Sequence, residues 1–411
     1  MDHQHIEVTS TQPYVFKTRG RMIAGLMIII GLVTVIAQFV TDYTQTWPNL
    51  LMNNYFFMII ALGSTFFLAV QYVAEVGWSA VIKRVLEAIS RYLWVAAPIM
   101  ILILFFGGHH LYHWMDPEIT DIKSPKYDAI IAGKSAFLNP SFFWIRTFAY
   151  FIIWIGFGVL FRKNTLKMDA ELGSAVDYYN RNKRYGAAFL VLFAITSSTM
   201  SWDFVMSIET HWFSTLFGWY TFAGLFVTSM AILAFTVGFL KSKGYLPEVT
   251  ESHVQDIGKF MFAFSIFWTY LWFAQFMLIW YANIPEEVTY FMLRQDHYRG
   301  IWIGAFLINF ICPFIVLMTR DAKRKLNLLM VMSVFIFVGH WMDTYIMVIP
   351  GSMALLGHDG HPLIGTIGLM EIGTTIGFLG LFMYMVQHYL TKAPLIIKNH
   401  PMMEESLYHT I

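Results

Sequence analysis

Cysteine is almost absent from this chain of 411 residues, and its scarcity excludes several kinds of site. The one cysteine is Cys312. A single thiol cannot form an internal disulfide, and by itself it cannot hold an iron–sulfur cluster or a structural zinc ion. The sequence also lacks a Cys-x-x-Cys-His motif, which would attach haem c. We therefore expect such cofactors in other subunits, and Cys312 to be a small buried side chain beside Pro313.

Charged residues are also scarce. They make up 13% of the chain, whereas soluble domains carry about 25%. The net charge of +1, with no basic module, gives no indication of nucleic-acid binding. Residues 1–20 are polar and include Asp2 and Glu7, so they do not resemble a cleavable signal peptide. Hydrophobic residues reach 57% and come in long blocks, which is typical of an integral membrane protein.

The apolar blocks predict an all-α integral membrane fold of ten transmembrane helices. Most blocks reach the roughly 20 residues with which a helix crosses ~30 Å of hydrocarbon. They are continuously apolar, whereas the strands of a membrane barrel alternate in polarity. The predicted spans are 22–40, 55–76, 92–108, 142–161, 186–207, 212–240, 259–281, 301–318, 326–349 and 366–389.

Lys and Arg are unevenly distributed between the two sides of this arrangement. With the N-terminus inside, 21 of the 27 fall on the cytoplasmic side and six on the outer side. Cytoplasmic loops of membrane proteins carry this excess. We therefore predict that both termini are cytoplasmic, with tails 1–21 and 390–411 on a single membrane domain, 22–389. The charged stretch 162–185 is expected to form a helix on the inner surface.

A few ionisable residues interrupt the apolar spans. Each costs several kcal/mol if it faces lipid, so each is expected to face protein or water. Asp203 lies near the outer end of predicted helix 5, and Glu371 lies about five residues inside predicted helix 10. His340 and Asp343 lie one turn apart on predicted helix 9. At ~1.5 Å per residue, all three carboxylates fall within roughly 10 Å of the outer boundary.

This set of groups is suited to proton transfer. An imidazole titrates near neutral pH, and burial can shift a carboxylate toward the same range. An acid beside an imidazole can accept protons from a quinol hydroxyl and pass them to water on the outer side. The alternative is a structural network in which these groups only bond neighbouring helices. We predict a proton path that comprises Asp203, His340, Asp343 and Glu371.

Two segments at the outer ends of predicted helices 5 and 9 resemble each other and a known family. Residues 201–220 read SWDFVMSIETHWFSTLFGWY, and residues 339–351 read GHWMDTYIMVIPG. Each places an Asp one or two residues after a Trp. Both resemble the polysulfide-reductase-like (NrfD-type) membrane subunits, and within them the ActF-type subunit of bacterial alternative complex III. That complex is a quinol:cytochrome c or quinol:oxidase oxidoreductase, and the resemblance covers nearly the whole chain in helix count and loop lengths.

The resemblance implies an architecture, a location and a set of partners. Helices 2–5 and 6–9 would form two four-helix bundles, flanked by helices 1 and 10, in the bacterial inner membrane. The partners would be a sister NrfD-type subunit, an iron–sulfur subunit, multihaem cytochrome c subunits and a terminal oxidase. Haem c and the iron–sulfur clusters would reside in those partners, and this chain would bind no cofactor.

The resemblance also implies where quinol would bind. The family's quinol site lies near the outer face of the first bundle, where His110 and Asp203 fall in this sequence. The quinol would be menaquinol or ubiquinol. The sister subunit is nevertheless the one expected to oxidise it, which leaves this chain a proton path and a scaffolding role.

Two other interpretations stay open. An autonomous proton- or ion-coupled transporter would favour broken helices at matching midplane positions, whereas Pro98 and Pro313 lie at unmatched ones. A cytochrome b-like haem carrier needs two histidines at one depth on facing helices. His340 alone lies well inside a predicted span, which disfavours that interpretation.

Overall fold

The structure, a computed structural model, describes residues 12–357 and 363–410. This part of the chain is predominantly helical and contains no β-strand. Ten of its helices are long and apolar enough to cross a membrane, which confirms the predicted number and the multi-pass architecture. They are α1 (Thr18–Thr41), α2 (Tyr43–Val73), α3 (Lys83–Leu111), α4 (Pro140–Ala170), α5 (Ala175–Ile208), α6 (Phe217–Ser242), α7 (Glu251–Ala282), α8 (Arg299–Val316), α9 (Leu326–Leu355) and α10 (Leu369–Leu390).

Short helices connect or flank these spans. On one face they are Ala129–Gly133, between α3 and α4, and Pro285–His297, between α7 and α8. On the opposite face they are Arg320–Arg324, before α9, and Met403–Leu407, near the C-terminus. Residues 307–311 within α8 form a π-helical turn.

Several predictions about helix boundaries are wrong. The second predicted span begins at residue 55, whereas α2 begins at Tyr43. The stretch 162–185 does not form a separate surface helix, because α4 continues to Ala170 and α5 begins at Ala175. Lys and Arg side chains at the ends of spanning helices can extend to water while the backbone stays helical. Glu371 does not lie about five residues inside helix 10, because α10 begins at Leu369. Its carboxylate instead accepts a hydrogen bond from the backbone N–H of Gly368 at 2.8 Å and caps the helix.

α2 is the central helix of the molecule. It packs against α3, α5, α6, α9 and α10, and 83% of its most apolar window is buried inside the protein. Polar side chains on this helix therefore face other helices, and the cost of placing them in lipid does not apply. α6 is similarly enclosed, by α2, α5, α7 and α9.

α1 packs mainly on α10, and the two run antiparallel. A Cβ built on Gly373 of α10 would meet Thr34 of α1, and one built on Gly380 would meet Met27. Later residues of α10 thus meet earlier residues of α1, as expected for antiparallel helices. The backbone N–H of Tyr14, just before α1, donates to the carbonyl of Leu390 at the end of α10, at 3.3 Å. The start of α1 and the end of α10 therefore lie on the same face of the membrane domain.

Candidate functional site

Glu371 is the end point of a buried network between α1, α2 and α10. Its Oε1 accepts hydrogen bonds from Nε2 of Gln38 at 2.8 Å and from Nε2 of Gln45 at 2.9 Å. Together with the Gly368 N–H on Oε2, these donors satisfy both carboxylate oxygens. Glu371 is 5% exposed, so its carboxylate depends on protein donors for solvation.

A chain of amide side chains leads from Glu371 along α2. Asn49 donates from Nδ2 to Oε1 of Gln38 at 2.9 Å, and Asn53 donates from Nδ2 to Oδ1 of Asn49 at 2.8 Å. The hydroxyl of Thr375 on α10 donates to Oδ1 of Asn53 at 2.8 Å. Each of these amide groups therefore donates its hydrogen bond toward Glu371.

The sequence-based prediction missed these amides. It chose ionisable groups as the site residues, and it began the second span at residue 55, beyond these amides. Gln45, Asn49 and Asn53 nevertheless recur at intervals of four residues, which places them on one face of a helix. That spacing was the available signal, because a stripe of amides at this interval indicates a helix face that is buried against polar partners.

Asp343 is the centre of a second network, between α6, α7 and α9. The hydroxyl of Tyr220 donates to its Oδ1, and Nε1 of Trp268 donates to its Oδ2 at 3.1 Å. Nδ1 of His340 lies 3.7 Å from the same Oδ2. The structure thus brings His340 and Asp343 together on one face of α9, and protonation of the imidazole would create an ion pair.

The two networks approach each other at Asn53. Nε1 of Trp341, which lies between His340 and Asp343 in α9, donates to Oδ1 of Asn53 at 3.3 Å. α9 therefore contacts the amide chain directly. Polar side chains of α1, α2, α9 and α10 form one connected set that ends at Glu371.

Several buried polar atoms near the two carboxylates have no protein partner within the described ranges. Nε2 of His340 is such an atom near Asp343. The hydroxyls of Tyr345 and Thr374 are such atoms near Glu371. An unsatisfied buried polar group costs about 1–3 kcal/mol, and internal water commonly supplies the partner. These positions can therefore bind water between the two carboxylates.

A small cavity lies between Tyr220, which bonds Asp343, and the helix Pro285–His297. This cavity of about 10 Å³, close to the size of one water molecule, is lined by Tyr220, Gln275 and Arg294. Nη2 of Arg294 donates to Oε1 of Glu209 at 2.6 Å, and the Glu209 side chain is 19% exposed. The sequence-based prediction included neither residue of this ion pair.

The charge of Arg294 is stabilised by its surroundings. Its guanidinium lies 3.3 Å from the ring centroid of Tyr290, and its Nε donates to the carbonyl of Ile346 at 3.1 Å. Burial alone would lower the pKa of Arg294, but the Glu209 carboxylate, together with Tyr290 and Tyr220, raises that pKa above its usual value. Arg294 is therefore a fixed positive charge between Asp343 and the protein surface.

Asp203 lies apart from these networks, in an ion pair with Arg146 of α4. Arg146 donates from Nε at 2.8 Å and from Nη2 at 2.7 Å, one bond to each carboxylate oxygen. The hydroxyl of Tyr150 adds a third bond at 2.6 Å. Asp203 is 0% exposed, and its partners lie on α4, whereas those of Asp343 lie on α6 and α7. This geometry matches the structural alternative for Asp203 more closely than a proton path.

His110 and Asp203, the two predicted positions for quinol contact, have partners in different places. Nε2 of His110 is 3.0 Å from the hydroxyl of Tyr43 on α2, and both side chains are exposed. Asp203 is enclosed and faces α4. The structure therefore does not join these two residues in one quinol-contacting pair.

Comparisons with known proteins add no relative from which a role could be transferred. No protein-family model matches the sequence, and no curated protein matches it. The functional argument therefore depends on the networks around Asp343 and Glu371.

Proposed function

We propose that this chain is a membrane subunit of a respiratory quinol:cytochrome c or quinol:oxidase oxidoreductase and that it provides a proton path and a scaffold. Within this proposal it is an NrfD-type subunit, the ActF-type subunit of alternative complex III. The observation that supports the proposal most directly is the pair of buried carboxylates, Asp343 and Glu371, whose hydrogen-bond networks approach each other where Trp341 bonds Asn53. Such groups are expensive in a membrane and are typically retained for function.

The proposed path has an outer exit through the Asp343 network. Asp343 accepts a hydrogen bond from the hydroxyl of Tyr220, and Tyr220 borders the cavity beside Arg294. Glu209 connects that cavity to the surface. His340 would exchange protons with Asp343, because its Nδ1 lies 3.7 Å from Oδ2 of that carboxylate.

Glu371 and its amide chain would form the second part of the path. Amide groups do not relay protons readily, but they orient a carboxylate and the water near it. Thr374 and Tyr345 contribute hydroxyls close to Glu371 that have no partner among the described residues. Water at these hydroxyls would connect Glu371 with the α9 network.

Helix packing supports the two-bundle arrangement that belongs to this proposal. α2 packs against α3 and α5, and α4 packs against α5. In the second half, α6 packs against α7 and α9, and α8 packs against α9. With the start of α1 and the end of α10 on one face, the Lys and Arg distribution supports a cytoplasmic location for that face, in the bacterial inner membrane.

The remaining components of the reaction would come from partners. Quinol, as menaquinol or ubiquinol, would be oxidised in the sister NrfD-type subunit. Electrons would pass to an iron–sulfur subunit and to multihaem cytochromes c, and from there to a terminal oxidase. Cys312 is the one cysteine of this chain, so its own residues cannot ligate an iron–sulfur cluster.

The test measures protons and electrons in the intact complex. In membranes with Asp343→Asn, we expect the complex to assemble and oxidise quinol while fewer protons are translocated per electron. Tyr112→Phe is the matched control, because the buried Tyr112 hydroxyl bonds the Phe204 carbonyl outside the network. An unchanged proton-to-electron ratio in Asp343→Asn would show that Asp343 is structural.

Purification from native membranes tests the assembly itself. We expect multihaem and iron–sulfur subunits to co-purify with the chain. A chain that purifies alone and catalyses ion-coupled transport in vesicles would instead support the autonomous transporter.

A further inference from the structure

Arg91 is a nearly buried arginine with unused hydrogen-bonding capacity. It lies in the first third of α3 and is 9% exposed. Its Nη2 donates to the carbonyl of Gly158 on α4 at 3.3 Å, the one hydrogen bond of this side chain within the described ranges. Its Nε has no partner among those residues. A guanidinium carries five N–H donors, so Arg91 can accept an additional anionic partner.

The ion pairs around Arg91 are formed by its neighbours. Arg84 and Arg162 lie 3.3 Å and 3.1 Å from Oε2 of Glu87, and Arg84 also pairs with Asp169 at 2.6 Å. Arg91 forms no ion pair with a described residue. Three arginines thus share two carboxylates, and the excess positive charge falls on Arg91. A poorly compensated charge near the membrane favours the binding of an anion.

Open space lies beside Arg91 on the α4 side. A Cβ built on Gly158, whose carbonyl accepts the Arg91 hydrogen bond, would meet no atom within 4 Å. The lack of a side chain at Gly158 therefore leaves room for a ligand group beside the residue that Arg91 contacts.

An exposed apolar stripe on α3 leads away from Arg91 toward the middle of the membrane span. It consists of residues at three, seven and eleven positions after Arg91, which share one helix face: Trp94, Pro98 and Leu102. All three are exposed in this chain. Trp is favoured at the level of lipid headgroups, and the aliphatic part of the stripe suits an acyl chain.

We infer that Arg91 and the open space at Gly158 bind the phosphate of an anionic phospholipid, with an acyl chain along the stripe from Trp94 to Leu102. The phosphate oxygens would accept charge-assisted hydrogen bonds from the guanidinium. Basic pockets between transmembrane helices recognise lipid headgroups in this way. The continuity of the arginine with an apolar stripe favours a lipid over free inorganic phosphate. This inference does not depend on the proposed proton path.

The test compares ligands on the purified, delipidated protein in neutral detergent. Phosphatidylglycerol, phosphatidylcholine and inorganic phosphate are each titrated, and binding is followed by native mass spectrometry and by the unfolding temperature. We expect phosphatidylglycerol to bind about fivefold more tightly than phosphatidylcholine, as one basic side chain near the membrane surface would give. Arg91→Gln should remove this preference.

Two further variants separate binding from folding. Gly158→Leu retains Arg91 and fills the open space, so it should weaken phosphatidylglycerol binding by a similar factor even if Arg91→Gln does not fold. Lys163→Gln is the matched control, because Lys163 is an exposed cation one residue after Arg162. It should leave lipid binding unchanged.

Several results would overturn the lipid site. One is an equal affinity for phosphatidylglycerol in the wild type and in Gly158→Leu. Another is loss of the preference for phosphatidylglycerol in Lys163→Gln. A third is stabilisation by inorganic phosphate equal to that by phosphatidylglycerol. The last result would assign Arg91 to a soluble anion.

Discussion

Gly31 of α1 and Gly377 of α10 meet where the two helices cross, with no space for a side chain between them. A Cβ built on Gly31 would lie 2.3 Å from Cα of Gly377, and one built on Gly377 would lie 2.5 Å from Cα of Gly31. Gln38 lies seven residues after Gly31, which is about two helical turns. The glycine crossing therefore sets the distance at which Gln38 reaches Glu371.

We expect Gly31→Leu to separate α1 from α10 and lower the stability of the protein. Overpacking typically costs about 1–3 kcal/mol, and here the obstacle is backbone, which cannot move aside as a flexible side chain can. Thermal unfolding of the purified protein should show a lower midpoint. Gly25→Leu is the control on the same helix, because a Cβ on Gly25 would meet no atom within 4 Å. Equal midpoints for the two variants would contradict this account of the crossing.

The number and type of helices could be predicted from the sequence because the membrane imposes them. A span needs a minimum length of apolar residues, and each span in the chain meets that requirement on its own. The Gly31–Gly377 contact could not be predicted in this way. It depends on which helices become neighbours, and α1 and α10 lie at opposite ends of the sequence.

The candidate site was predictable only in part. One-turn spacing was sufficient to place His340 beside Asp343, because both lie on one helix. The partners of Asp343, Tyr220 and Trp268, come from two other helices, and the sequence contains no local signal for that contact. Arg146 lies inside the predicted span 142–161 and was counted only as one of the six positive charges of the outer side, although it is 8% exposed and paired with Asp203.

We expect Arg146→Gln to destabilise the protein strongly. Removing one partner of a buried ion pair leaves the other charge uncompensated, which costs about 3–5 kcal/mol. Tyr150→Phe removes a single hydrogen bond to Asp203, so its effect should be smaller, near 1–3 kcal/mol. Unfolding of both variants by denaturant or heat provides the comparison.

The double variant Arg146→Met with Asp203→Leu tests the cause of that loss. It should recover most of the stability, because apolar residues of similar size can replace a buried pair. A double variant as unstable as Arg146→Gln would show that Asp203 has a further essential contact.

We expect Asn49→Leu to lower the number of protons translocated per electron in the assembled complex. Asn49 donates to Gln38 and accepts from Asn53, so its loss divides the amide chain that ends at Glu371. Asn54→Leu is the matched control on the same helix, because Asn54 is equally buried but donates to the Ala96 carbonyl outside the chain. Similar ratios in the two variants would remove the amide chain from the proposed path.

The last prediction separates proton transfer from quinol oxidation: this chain alone, without partners, should not turn over quinol. Oxidation of a quinol releases two protons and two electrons. The protons have acceptors in His340, Asp343 and Glu371. The electrons need an acceptor as well. The sequence has one cysteine and no haem c attachment motif, and His340 is the one histidine well inside a predicted span.

Quinol binding without an electron acceptor gives no net reaction, so the iron–sulfur partner should be necessary for turnover. The measurement is quinol-dependent reduction of a soluble dye or cytochrome c by the isolated chain in detergent. We expect no rate above that of detergent alone, and a rate only when the sister and iron–sulfur subunits are added together. Steady turnover by the isolated chain that persists after metal removal would overturn this assignment, because the chain would then have to contain an electron route of its own.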